Sequence, residues 1–134
     1  MNNTAEHPII NTPVATVQRT GTDLVEVRFT SGCVLNVTGI AGILDARAEL
    51  NRGIPDLLLA VFPAEEVDFE LTMISTDHYQ GRPVEQHTRA SAWVVRNEHN
   101  ERFTRLYFAY FPSPVPSAIF MQEQEARAWL QTQR

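Results

Sequence analysis

The stretch LLLAVFPAEEVDFELTM, residues 57–73, decides the fold, and its first six residues do most of that. Leu57 to Phe62 run apolar without alternation, so neither face of a strand built from them is left for water. That is the mark of a central strand with parallel neighbours and cover on both sides. Parallel neighbours require crossover connections, so helical segments are expected before and after it.

Working outward toward the amino terminus, Ile40, Ile43, Leu44, Arg47 and Leu50 recur at helical spacing. Thr38 is the expected N-cap, Gly53 suits the left-handed position after the last turn, and Pro55 bars continuation. Farther upstream, VATVQR (14–19) and LVEVRF (24–29) each alternate apolar and polar residues about the turn-like Thr20-Gly21-Thr22-Asp23, which reads as an antiparallel hairpin. CVLNV (33–37) continues extended. Residues 1–12, polar and punctuated by Pro8, are expected to form a mobile arm ahead of a single domain over 13–134.

On the carboxyl side, Val67, Leu71, Ile74 and Tyr79 predict a second helix that stops near Gly81 and Pro83. Arg89 to Val95 reads as a strand with Trp93 inward. Glu98 to Phe111 is a third helix, with Phe103, Leu106, Tyr107 and Tyr110 on its inner face. The prolines of PSPVPS (112–117) force an extended loop, because each also keeps its predecessor out of the helical region. Ser117 to Met121 is a short strand, and Glu123 to Gln133 a closing amphipathic helix with Ala126, Trp129 and Leu130 inward. The chain order β-β-α-β-α-β-α-β-α predicts a mixed sheet in an α/β or α+β sandwich.

Composition bounds the partners. A chain of 134 residues with 43% hydrophobic and 20% charged residues can bury a core without disulfides or metals. The formal charge is −5, and the eleven basic residues, all Arg, are scattered rather than clustered. Without a basic stripe, neither nucleic acid nor an anionic membrane surface is an expected partner. Cys33 is the one cysteine, and it reads as a half-buried strand residue compatible with a reducing cytoplasm. The start MNNTAEHPII has no signal-peptide pattern and no apolar run reaches membrane-spanning length, so a cytoplasmic location is expected. Asn2 and Asn36 head glycosylation sequons that are read as chance matches.

LVEVRF, VTGIAGILDARAELNRGIPDLLLAVF, RASAWVV and the ending SAIFMQEQEARAWL together resemble the STAS fold, the anti-sigma-factor-antagonist or SpoIIAA-like domain. More narrowly they resemble small uncharacterised bacterial proteins described as STAS/SEC14-like, over about Val14 to Leu130. The resemblance implies a mixed α/β sheet and a regulatory module working through protein contacts. In true anti-sigma-factor antagonists the strand matching LLLAVF is followed by Asp and then a phosphorylatable Ser at the start of the next helix. Here Asp68 falls on the Asp and Phe69 on the Ser, and a phenyl ring accepts no phosphate. Between Pro63 and Leu71 there is no hydroxyl at all, and the nearest, Thr72 and Ser75, are expected a turn or more into the second helix. The resemblance therefore carries over the fold without the phosphoswitch.

The remaining clusters read as structural. Glu65, Glu66, Asp68 and Glu70 suit the first turn of a helix, where carboxylates complement the macrodipole, more than a hard-cation site. Asp77, His78, Glu85 and His87 are spaced too loosely for a zinc site. Cys33 has no recognisable catalytic partner, and no nucleophile elbow or phosphate-binding loop is present. An enzyme is therefore not expected, and no cofactor or metal is implied.

What remains is FTRLYFAYF, residues 103–111. One helix face accommodates Phe103, Leu106, Tyr107 and Tyr110, leaving Phe108 and Phe111 as the expected exposed aromatic surface for a homodimer or another protein partner. The alternative is a small-molecule or lipid-binding domain, with its apolar ligand between residues 67–73 and 103–111.

Overall fold

The computed structural model describes residues 8–134. Eight strands and five helices follow in the order β1 (Ile9–Asn11), β2 (Ala15–Arg19), β3 (Leu24–Phe29), β4 (Val34–Leu35), α1 (Val37–Leu50), β5 (Asp56–Val61), β6 (Asp68–Phe69), α2 (Thr72–Ser75), α3 (Val84–His87), β7 (Thr88–Val94), α4 (Glu98–Tyr110), β8 (Ser117–Phe120) and α5 (Glu123–Gln131). Six of the strands form one mixed sheet in the order β1-β2-β3-β5-β7-β8. β1, β2 and β3 pair antiparallel, while β3, β5, β7 and β8 run parallel. β4 and β6 form a separate two-stranded parallel ribbon.

β5 lies at the centre and is buried along its whole length. Its side chains divide by parity, as a period of two dictates. Leu58 and Ala60 enter one core with Val17, Val27 and Phe29 of the hairpin and Ile43 of α1. Leu57, Leu59 and Val61 enter a second core with Ala90, Ala92 and Val94 of β7 and with Ala126 and Leu130 of α5. The two alanines of β7 keep that surface low and let α5 settle close to the sheet.

α5 is short, yet it suffices, because its face of the sheet turns polar beyond β5. There β3 presents Glu26 and Arg28, which α5 meets with Glu123 and Arg127. Arg28 bridges Glu26 at 2.7 Å and Glu123 at 2.9 Å, and Arg127 bridges the same two carboxylates at 2.9 Å each. The Arg28 hydrogen bond, reinforced by Arg127, holds the Glu123 carboxyl down at about 2. Burial alone would raise Glu26, but hydrogen bonds from Arg28, Arg127 and Thr20 outweigh it and leave Glu26 below the usual range.

The other face carries a buried ion pair. Arg19, at the end of β2, meets Asp56, at the start of β5, through two bonds of 3.0 and 2.7 Å, with both side chains almost wholly shielded. The same guanidinium donates to Leu50 O at 3.1 and 2.7 Å, to Gly21 O at 3.3 Å and to Thr22 O at 3.2 Å. Asn51 adds a further bond to Asp56 at 3.1 Å. Two charges are tolerable in such a place because their hydrogen-bonding groups are so fully engaged.

Four expectations change. The arm over 1–12 lies partly outside the described residues, and its last part, Ile9–Asn11, is hydrogen-bonded to β2 as an edge strand. α1 is capped by Asn36 rather than Thr38: the Asn36 Oδ1 accepts from Gly39 N at 2.7 Å, and Val37 is already helical. The second predicted helix is absent; residues 67–87 form β6, two four-residue helices and connecting turns. Its apolar spacing misled because Leu71, read as inward, is 80% exposed, while Phe69 pairs with Leu35 across the β4–β6 ribbon. With no helix over 65–70, the macrodipole account of the acidic turn also falls away, and Glu65, Glu66, Asp68 and Glu70 are solvated.

Two outcomes are expected. Asp56→Ala strands the Arg19 charge in the interior and lowers unfolding free energy by about 3–5 kcal/mol in urea titration, whereas the double change Arg19→Met with Asp56→Leu costs less than either single removal. Glu26 and Glu123 both have lower pKa values folded than unfolded, so their stabilisation is complete above about 4.5 and is lost as pH falls from there toward about 2. Urea midpoints should drop through that window, and Glu123→Gln should flatten the drop.

Candidate functional site

The turn after β5 is held by the first turn of α4. Asn97 caps that helix by accepting from Asn100 N at 2.8 Å, and its Nδ2 donates to Ala64 O at 3.0 Å. Asn100, fully buried, accepts from Val67 N at 3.0 Å and donates to Glu65 O at 3.1 Å and Val95 O at 3.0 Å. His99 Nε2 lies 3.0 Å from Val67 O. One amide side chain thus satisfies three backbone groups, of Glu65, Val67 and Val95. Nothing in the apolar periodicity of α4 pointed to this, but the two asparagines at its start carry the signal.

Beyond that turn, α4 lays Asn100, Phe103, Thr104, Tyr107, Phe108 and Phe111 toward the protein, the spacing of a single helical stripe. Phe103 stacks against Phe69 with ring centroids 4.2 Å apart, and Phe108 meets Trp93 edge-on at 5.5 Å. Tyr107 lies against Phe111 at 5.3 Å and against the His78 ring at 5.1 Å. The expected division of the stripe is therefore corrected: Phe103 and Tyr107 do face inward, but so do Phe108 and Phe111. Leu106 and Tyr110, expected inside, are 40% and 63% exposed. Two polar residues, Asn100 and Thr104, occupy inward positions, and this rotated the apparent apolar face.

Between this stripe and the sheet lies an apolar cavity of about 50 Å³, lined in part by Phe62, Met73, His78, Trp93, Phe103 and Tyr107. It falls where an apolar ligand was expected. His78 Nε2 lies 2.8 Å from Met73 O, so that nitrogen carries the proton and donates. Its backbone N–H donates to the Tyr107 hydroxyl at 3.0 Å. Nδ1 is left as a buried acceptor without a partner among the described residues. Burial pushes the His78 pKa down and the Tyr107 phenol up to about 12, so both are neutral at pH 7.

Outside, the end of α4 and the proline-rich loop border an open groove of about 560 Å³, lined on its two sides by Arg82, Pro83 and Glu85 and by Tyr110, Phe111 and Pro112. Phe69, aligned with the phosphorylatable Ser, lies in strand β6 rather than at a helix start. Thr72 is the first residue of α2 and is exposed, not a turn inside a helix as expected. Cys33 is half-buried, with its thiol pKa raised by burial. Among the described residues, no three His, Cys, Asp or Glu side chains converge as a metal set, and no helix is long and apolar enough to cross a membrane.

The chain belongs to a family described as a domain of unknown function (DUF7793), whose model matches residues 22–134. No functionally curated protein matches it. Among solved structures it is similar to a protein of the DUF3478 family with a SpoIIAA-like fold from Shewanella loihica PV-4. That likeness has a TM-score of 0.53 and 15% identity, over 92% of this chain and 94% of the other. The fold is SpoIIAA-like, as the family resemblance implied.

The corrected stripe sets the two tyrosines apart: Tyr107 stays inside and Tyr110 moves to the surface. Tyr107→Ala is expected to cost about 3–5 kcal/mol, the range for buried aromatics. Tyr110→Ala should stay within about 0.5 kcal/mol. Equal losses in urea titration would contradict this placement.

Proposed function

We propose that this chain is a non-catalytic regulatory or protein-interaction module that works by surface contact and pairs as a homodimer across the outer end of α4. The observation that carries the reading is Tyr110, an aromatic ring 63% exposed beside Leu106 and the open groove. Solvent-facing aromatics beside a concave surface of mixed polarity are what interface anchors are made of. The module would act without the serine switch of anti-sigma-factor antagonists, since Phe69 stands in that place.

A reading without catalysis is supported by the engagement of several acid and base candidates, though not of His87. Glu26 and Glu123 are tied to Arg28 and Arg127, Asp56 to Arg19, and His78 and His99 each contact a backbone carbonyl. A cytoplasmic setting fits the lone, half-buried Cys33.

The alternative, a small-molecule or lipid-binding domain, is favoured by the cavity at His78 and its unpartnered Nδ1. At about 50 Å³ the cavity is well below the roughly 150 Å³ that holds benzene, so an acyl chain would need residues 72–79 to move aside.

Native mass spectrometry separates the two readings. The wild-type chain should fly as a dimer, and the double change Leu106→Asp with Tyr110→Asp, both at exposed positions, as a folded monomer. A wild-type monomer, or a dimer untouched by both substitutions, overturns the contact surface. A mass excess retained on the wild-type monomer would turn the assignment to the ligand reading.

A further inference from the structure

A second cavity, of about 60 Å³, opens between the last turns of α1 and the 79–88 segment. Its polar lining is Arg47 of α1, Asp56, Tyr79, Arg82, His87 and Thr88. Arg47 donates to the Thr88 hydroxyl, and the Tyr79 phenol lies beside it. Asp56 is near enough to attract Arg47 but forms no ion pair with it, and its oxygens bond Arg19 and, for one of them, Asn51 as well. Arg82 pairs with Asp45 at 3.0 Å, a contact largely open to solvent.

Arg47 is singular in this. Among the described residues Arg47, Arg52 and Arg89 form no ion pair, and of these Arg52 and Arg89 stand exposed while Arg47 is mostly covered. Burial lowers its pKa, the direction expected of a cation that gives up more hydration than its neighbours return. A position in the last turn of α1 gives it a favourable helix dipole, but a dipole supplies no acceptor for the remaining guanidinium N–H groups.

From this arrangement we infer that the cavity binds a small oxyanion, a carboxylate or phosphoryl group, held by the Arg47 fork with the Thr88 and Tyr79 hydroxyls and with Arg82 at the rim. The guanidinium presents paired donors in the geometry such groups accept. Size agrees: at about 15 Å³ for each water-sized position, the space takes roughly four non-hydrogen atoms, which matches a carboxylate head and nearly matches a phosphate. Local charge agrees as well. Arg19 pairs with Asp56 and Arg82 with Asp45, which leaves Arg47 as the guanidinium of the cavity without an ion-pair partner among the described residues, while Asp77 lies near the Tyr79 side.

The test is a titration of the intact protein with sodium phosphate and, separately, sodium acetate at constant ionic strength, followed by amide and arginine Nε–H shifts. Saturable shifts centred on Arg47, Tyr79 and Thr88 are expected, and the arm that saturates at lower concentration identifies phosphoryl or carboxylate as the preferred group. Arg47→Gln should weaken that response by about tenfold or more, and Arg82→Gln by less. Shifts that do not saturate and spread over the exposed Arg52, Arg89 and Arg102 overturn the site, as does unchanged binding in folded Arg47→Gln. Should Arg47→Gln fail to fold, the location and saturation of the wild-type shifts decide the matter alone.

Discussion

Covering β5 on both faces is the constraint that organises this molecule. Six buried residues in a row must be shielded by something on each side, and the two sides are met by different means. α1, α4 and the β4–β6 ribbon supply a broad apolar cover on one. On the other a nine-residue helix fits, because β7 offers alanines beneath it and β3 offers charges at its flank. The ion network across Glu26, Arg28, Glu123 and Arg127 is thus the polar half of the α5 interface, where the apolar half runs out.

The end of the same strand explains the acidic turn. Leaving the sheet, the chain exposes backbone groups that a helix or a further strand would ordinarily satisfy. Asn97, His99 and Asn100 of α4 satisfy them instead, from about thirty residues away in sequence. The carboxylates between them face water and are the solvated outer side of a fixed turn. The apolar cavity and the outer groove are both consequences of where this anchoring sets α4.

Much of the architecture was legible in the sequence. Alternation marked β2 and β3, unbroken apolarity marked β5, glycine and proline marked the end of α1, and proline marked the end of α4. These are local signals that do not depend on what packs nearby. The 67–87 segment was not legible, since Val67, Leu71 and Ile74 fit a helical wheel although Leu71 is solvated and Phe69 pairs with Leu35. A pattern with two or three apolar residues does not distinguish a helix from a strand followed by turns. The face of α4 was misjudged for a related reason: inward Asn100 and Thr104 are polar, and only their partners in the 65–67 turn and the helix backbone reveal that they are inside. Arg47 was read merely as part of a helical stripe. Its lack of a carboxylate partner is a fact of three dimensions, not of spacing.

One guanidinium also bears on how the molecule comes apart. Arg19 binds its own turn, the carboxyl end of α1 and the first residue of β5 at once. None of those segments can detach alone without leaving a shielded cation short of acceptors, so their partial openings are all costly in the same way. The clasp therefore favours a single cooperative transition for the hairpin, α1 and the central strand over stepwise fraying from the amino-terminal side. In a sheet built from distant parallel pairings, that coupling keeps half-open forms with bared strand edges scarce.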